Sequence, residues 1–170
     1  MREATESTRQ EARLAVRNPL ADEYSRVVSD AAEWWPGRRP IQELVPSAFF
    51  RHFRDTSFIA ERDDALTGVL VGFLSQSEPG EAYVRFACVH PDYRRRGIGD
   101  ALYRHFFDAA RTRGSRLVSC ATTADNVPSL AFHRSLGFHI RVGDLDVDGV
   151  SVHRDYAGPG AHRVILERHV

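Results

Sequence analysis

Residues 83–99 read YVRFACVHPDYRRRGIG, and this stretch decides the fold. Its first half is an apolar-rich run ended by His90-Pro91, the pattern of a strand leading into a turn. Beyond the glycines, Ile98, Leu102, Phe106 and Ala109 fall on one stripe of a helix that Gly114 stops. Leu117 to Ala121 then reads as a buried strand. Strand 83–90, helix 98–113 and strand 116–122 in succession make a βαβ unit, in which a helical crossover forces the outer strands parallel.

Upstream, runs at 57–62 and 66–75 precede the strand at 83–90, separated by turns at Asp63-Asp64 and Pro79-Gly80, so the three predict an antiparallel meander. A short strand is expected at 13–18. A helix over 19–35 carries Tyr24, Val27, Val28, Ala31 and Trp35, and a second over 40–53 carries Ile41, Leu44, Val45, Ala48 and Phe49. Downstream, a helix at 127–136 ends at Gly137. Strands are expected at 138–142, at 147–153 across the Asp148-Gly149 turn, and at 164–167. The fold class is α/β, a mixed sheet that is antiparallel at both ends with a parallel pair inside. Residues 1–12 read as a loose tail and 13–170 as one domain.

The 170 residues, 42% hydrophobic, suffice for one buried core. Charges balance at 23 against 23, which argues against nucleic acid or an anionic membrane as partner. All the non-histidine cations are arginine. Cys88 and Cys120 are too few for a metal cluster and read as reduced, buried thiols. Without a spanning apolar run, the expected location is the cytoplasm.

Arg94, Arg95, Arg96, Gly97, Ile98, Gly99 and Asp100 sit where a strand gives way to a helix. A helix N-terminus exposes unpaired N–H groups and partial positive charge, and glycines let backbone approach an anion closely. Arg94-x-x-Gly97-x-Gly99 in this position resembles the coenzyme A pyrophosphate loop of the GNAT N-acetyltransferase superfamily. Asn126 to Phe138 forms a second constellation. Asn126 caps a helix whose Ser129 and His133, four residues apart, share its face. The stretch resembles the GNAT segment N-x-x-(A/S)-x-x-x-Y-x-x-x-G-F, with His133 standing where that family most often has Tyr.

The resemblance implies a GNAT-like sheet whose parallel strands splay apart, with acetyl-CoA as cofactor. It also implies direct acetyl transfer to a primary amine of a small molecule or peptide, in a monomer or homodimer. Ala87, Cys88 and Val89 would offer backbone N–H groups to the acyl carbonyl and pantetheine, and Asn126, Ser129 and Phe132 would flank the arm. His133 is the candidate general acid, with a core-edge imidazole as the other reading and Tyr156 or water as substitutes. Glu81 is the nearest candidate base, followed by His153 and Asp155. Strict alternation puts Tyr83, Arg85, Ala87 and Val89 on one face of their strand and Val84, Phe86 and Cys88 on the other. Trp34, Trp35, Arg38, Arg39, Phe50, Tyr83 and Arg85 are candidate acceptor contacts, suited to an apolar or aromatic body bearing an anionic group; the indoles equally suit core packing. Because a Tyr and a strand carboxylate are missing, a catalytically silent acyl-CoA-binding sensor is the alternative function.

Overall fold

The computed structural model describes residues 13–35 and 40–170. The expected tail at 1–12 lies outside the described residues, as do Arg38 and Arg39. The expected β, αα, βββ, α, β, α order is present. Strand β1 (Leu14–Arg17) leads through a 3-10 turn (Ala21–Glu23) to helix α1 (Tyr24–Trp34). The helix expected over 40–53 is two short ones, α2 (Ile41–Leu44) and α3 (Ala48–Arg51). Pro46 divides them, since the residue before a proline is driven from helical geometry, and Val45 sits at φ −126°, ψ 74°.

Strands β2 (Ser57–Arg62), β3 (Ala65–Leu74) and β4 (Glu81–Val89) form the antiparallel meander, with β1 on the outer edge of β2. Helix α4 (Ile98–Thr112) crosses over to β5 (Leu117–Thr122), which runs parallel to β4. Helix α5 (Val127–Ser135) follows, then β6 (His139–Ile140), the β7 (Leu145–Val147) and β8 (Val150–Val152) ribbon, and β9 (Val164–His169). The main sheet is ordered β1-β2-β3-β4-β5-β9-β6, so the last strand inserts between β5 and β6. The segment expected over 147–153 across the Asp148-Gly149 turn is the end of β7, that turn and β8, a hairpin separate from the main sheet.

Two apolar layers cover the sheet. On one face Ile98, Leu102, Tyr103 and Phe106 of α4 and Leu130 of α5 pack with Leu70, Ala82 and Val84. On the other, Val27, Val28, Ala31 and Trp34 of α1, with Phe49 and Phe50, cover Ile59, Val69, Val71 and Phe86. This second set corrects the reading of Trp34 and Phe50 as acceptor contacts. Trp34 is 6% and Phe50 0% exposed, and their rings stand edge-on to His90 and Tyr24.

Strict alternation along β4 also fails. Val71 pairs with Phe86 but Gly72 pairs with Val84, leaving Arg85 as an extra residue opposite a single step of β3. Such a bulge flips every later side chain. Ala82 and Val84 therefore face α4, while Phe86 and Cys88 face α1, and Ala87 and Val89 return to the α4 side.

Candidate functional site

Strands β4 and β5 pair only over Glu81–Val84 and Leu117–Cys120. Beyond Val84 and Cys120 they part, and a cleft of about 730 Å³ opens between them, reaching the start of α4. The stretch of β4 from Arg85 to Val89 has no pairing on its β5 side. That leaves backbone polar groups open to a ligand rather than to a ladder.

At the outer end, Arg94 Nε donates to the Val89 carbonyl at 3.1 Å, tying the loop to the strand it leaves. Arg95 at φ 59° and Gly97 at φ 78° take left-handed conformations in the loop that opens the 15-residue helix α4; turns of this kind and helix N-termini offer unpaired N–H groups to anions. Gly99 admits the opposite wall: a Cβ there would lie 2.9 Å from Phe132 Cζ. Asn126 Oδ1 accepts from Ser129 N at 3.2 Å, capping α5 on that wall. Ala87, Cys88, Val89, Arg94, Arg95, Gly97, Ile98, Gly99, Asp100, Asn126, Ser129, Phe132 and His133 all line the cleft. Arg96 does not; its guanidinium lies over the Tyr93 ring, 5.5 Å from the centroid.

His133 at the inner end is 8% exposed. Its Nδ1 lies 2.8 Å from the Ser129 carbonyl, which can only accept, and its Nε2 lies 2.7 Å from the Tyr103 hydroxyl. Nδ1 therefore carries the proton, and Nε2 accepts from Tyr103. Burial pushes the imidazole below its usual range, while the Ser129 bond opposes this. The geometry favours the core-edge reading of His133 over the general-acid one: burial disfavours the charged ring, and both nitrogens are engaged. Tyr103, 2% exposed, was the residue sequence reading missed here. Its signal was a polar tip beside the apolar stripe of α4. Burial raises both cysteines to about 12, so neither is a thiolate at neutral pH.

A second cavity of about 810 Å³ lies beside the first, lined by Phe49, Phe73, Ser75, Glu78, Glu81, Tyr83, Arg85, Arg141 and Tyr156. It unites four of the expected residues, Glu81, Tyr83, Arg85 and Tyr156. Glu81 accepts a short bond from the Ser119 hydroxyl and lies 3.9 Å from Arg141. Tyr83, raised above the usual phenol range by burial, is hydrogen-bonded to half-exposed Tyr156. Trp35 lines the coenzyme-sized cleft instead, edge-on to Phe86. His153 and Asp155 do not line the cavity; Asp155 Oδ1 accepts from Gly160 N at 2.7 Å within its own loop. Arg85, the bulge residue, lines both cavities.

A family model described as acetyltransferase (GNAT) family matches residues 21–138. The L-2,4-diaminobutyric acid acetyltransferase of Nocardia farcinica is 28% identical over 110 residues, 61% of this chain and 57% of that protein. The chain spans about half the length of the curated relatives it matches. Among solved structures, a GNAT-family protein from Desulfovibrio desulfuricans superposes with a TM-score of 0.74 at 19% identity, over 92% of this chain and 99% of that one. A diaminobutyrate acetyltransferase from Paenibacillus lautus, solved with its substrate and coenzyme A, gives 0.65 at 19% identity, over 92% and 95%. These likenesses carry the fold. Among the described residues no helix is long and apolar enough to cross a membrane.

Proposed function

The chain belongs to the acetyltransferase (GNAT) family, and from that premise we propose that it moves the acetyl group of acetyl-CoA directly to a primary amine of a small molecule or peptide, with both substrates bound together. The observation that carries this reading is the meeting of the two cavities at Arg85. An amine in one then lies against an acyl group at the inner end of the other, and proximity of this kind supplies much of the rate.

The cleft suits the coenzyme. Left-handed Arg95 and Gly97 and the bare Cα of Gly99 make a cradle for a pyrophosphate at the α4 N-terminus. Acetyl-CoA, when bound, supplies an activated acetyl thioester. The chain does the rest. Arg94 and Arg95 hold negative charge at the mouth, Asn126 and Ser129 flank the arm, and the open edge of β4 from Arg85 to Val89 offers N–H groups to a carbonyl that gains charge. Glu81 takes the ammonium proton through water, and Tyr156 provides the hydroxyl proton for the leaving group. His133 holds Tyr103 in place.

Incubation with acetyl-CoA and a panel of amino acids, polyamines, aminoglycosides and peptides tests the reading, with thiol release and product mass as readouts. At least one amine class is expected to give saturable release, reduced by Glu81→Gln and by Tyr156→Phe. A second reading, a silent acyl-CoA sensor, is favoured by the fully engaged, neutral His133. Coenzyme binding without release on any amine would select it.

A further inference from the structure

We infer that Arg85 is a carboxylate anchor and that the acceptor is a free α-amino acid with an apolar or aromatic side chain. This rests on the acetyltransferase reading and narrows its substrate class.

Two arginines line the acceptor cavity, and they are not equivalent. Arg141 is spoken for, with Nε 2.5 Å from Glu167 and Nη2 3.9 Å from Glu81. Glu81 is held in turn by the Ser119 hydroxyl. Among the described residues, Arg85 has a 3.5 Å contact from Nη2 to the Glu43 carbonyl and no carboxylate within ion-pair distance. Its side chain is exposed. A guanidinium left with its planar fork free suits a carboxylate, which it binds through paired charge-assisted bonds.

The bulge fixes where the Arg85 side chain leaves the strand. Because Arg85 is the unpaired residue between Val84 and Phe86, its position on the strand is the point at which β4 leaves β5. Arg85 lines both cavities, so a carboxylate on its guanidinium sets the amine of an α-amino acid, on the next carbon, toward their junction. The side chain of such an acceptor then lies toward Phe49, Phe73 and Tyr83. These rings form a continuous wall, with centroids 6.4 Å apart for Phe49–Phe73 and 5.5 Å for Phe73–Tyr83. A polyamine would bring a second ammonium against Arg85. A peptide N-terminus carries an amide where the carboxylate is needed.

The test compares phenylalanine with phenylalaninamide and phenethylamine, which keep the amine and ring and remove the charge. Wild type is expected to favour phenylalanine by about tenfold or more in kcat/KM, since a site built for a polar group rejects analogues that lack it. In Arg85→Gln the acid-to-amide ratio should collapse toward unity through KM, and Arg85→Lys should restore part of it. Binding is read separately, as the melting-temperature rise given by phenylalanine without coenzyme, expected in wild type and lost in Arg85→Gln. Equal use of acid and amide, or an unchanged ratio in Arg85→Gln, overturns the inference. If wild type acetylates no amine, the enzymatic reading fails on its own. The Arg85-dependent thermal shift then still decides the anchor, and its absence refutes it.

Discussion

The Tyr103 hydroxyl donates to His133 Nε2 at 2.7 Å, joining α4 to α5 at the cleft between β4 and β5. The rings of Phe107, Phe132 and Phe138 pack around the pair, with centroids 5.3 to 6.0 Å apart. A polar bond enclosed by aromatic rings is costly to leave half made, so the two residues act as a unit. Where the family segment most often has a single Tyr on α5, this chain has a His on α5 and a Tyr on the neighbouring helix.

Removing one partner should therefore cost more than removing both. Tyr103→Phe leaves a buried imidazole nitrogen without a donor and is expected to destabilise by about 1–3 kcal/mol. Tyr103→Phe combined with His133→Leu should recover part of that loss. Denaturant melts of the two single variants and the double variant measure the coupling; additive losses would show that the bond contributes nothing.

The same pair sets a pH response. His133 is lowered below its ordinary 6.5 by burial. The unfolded chain thus takes up its proton first as pH falls. Stability from this group is complete above about pH 6.5 and declines as pH drops from there toward the folded value. The melting-temperature gap between wild type and His133→Gln should be widest near neutrality and shrink in acid. A gap that widened in acid would contradict a neutral buried ring.

A different acid response belongs to the edge of the sheet. Arg17 of β1 bridges Glu23 and Glu61 at 2.7 and 2.9 Å, and Arg26 of α1 adds bonds to both carboxylates. The Arg17 bond, with help from the Leu20 N–H and Arg26, holds Glu23 down at about 2 despite the opposing cost of burial. Its contribution is present above the ordinary carboxylate value of 4.5 and lost as pH falls through about 2. Glu23→Gln should lower the melting temperature at neutral pH and have little effect in strong acid.

The cleft between β4 and β5 was legible in the sequence because much of its lining is local: residues of the Arg94 to Gly99 loop and of the Asn126 to His133 segment, each one short stretch with a strong positional pattern. The second cavity was only partly legible. Phe49, Phe73, Glu78, Arg141 and Tyr156 come from separate elements, and no periodicity announces that they meet. Trp34 was misplaced because an apolar helix end looks the same whether it faces core or ligand. The insertion of β9 between β5 and β6 is a long-range pairing, and Arg85 leaves no mark of a bulge because it is not glycine.

Gly99 separates steric from conformational demands on the phosphate end. Its absent side chain lets Phe132 approach to 2.9 Å of where a Cβ would be, whereas a Cβ at Gly97 would meet nothing within 4 Å. Gly99→Ala should push the Phe132 ring and weaken acetyl-CoA binding, and Phe132→Leu should rescue it because a flexible ring tip is what blocks. Gly97→Ala should act instead through its left-handed φ of 78°, costing about 1 kcal/mol that Phe132→Leu cannot restore. Titration calorimetry with acetyl-CoA across these variants distinguishes the two.

Gly72 stands at the register shift that sets Arg85. A Cβ at this position would lie 2.4 Å from Phe106 Cε2 and 2.6 Å from the Tyr83 carbonyl. The first is a fully buried ring of α4, and the second is backbone of β4, so neither can yield cheaply. Gly72→Ala is expected to destabilise by about 3 kcal/mol, the upper part of the range for overpacking. Adding Phe106→Leu should relieve the clash with the ring but not that with the Tyr83 carbonyl. The double variant should therefore remain less stable than Phe106→Leu alone, by an amount that denaturant midpoints resolve. If Phe106→Leu erased the whole penalty, β4 would have to move freely against β3. The bulge would then no longer fix Arg85 at the junction of the two cavities.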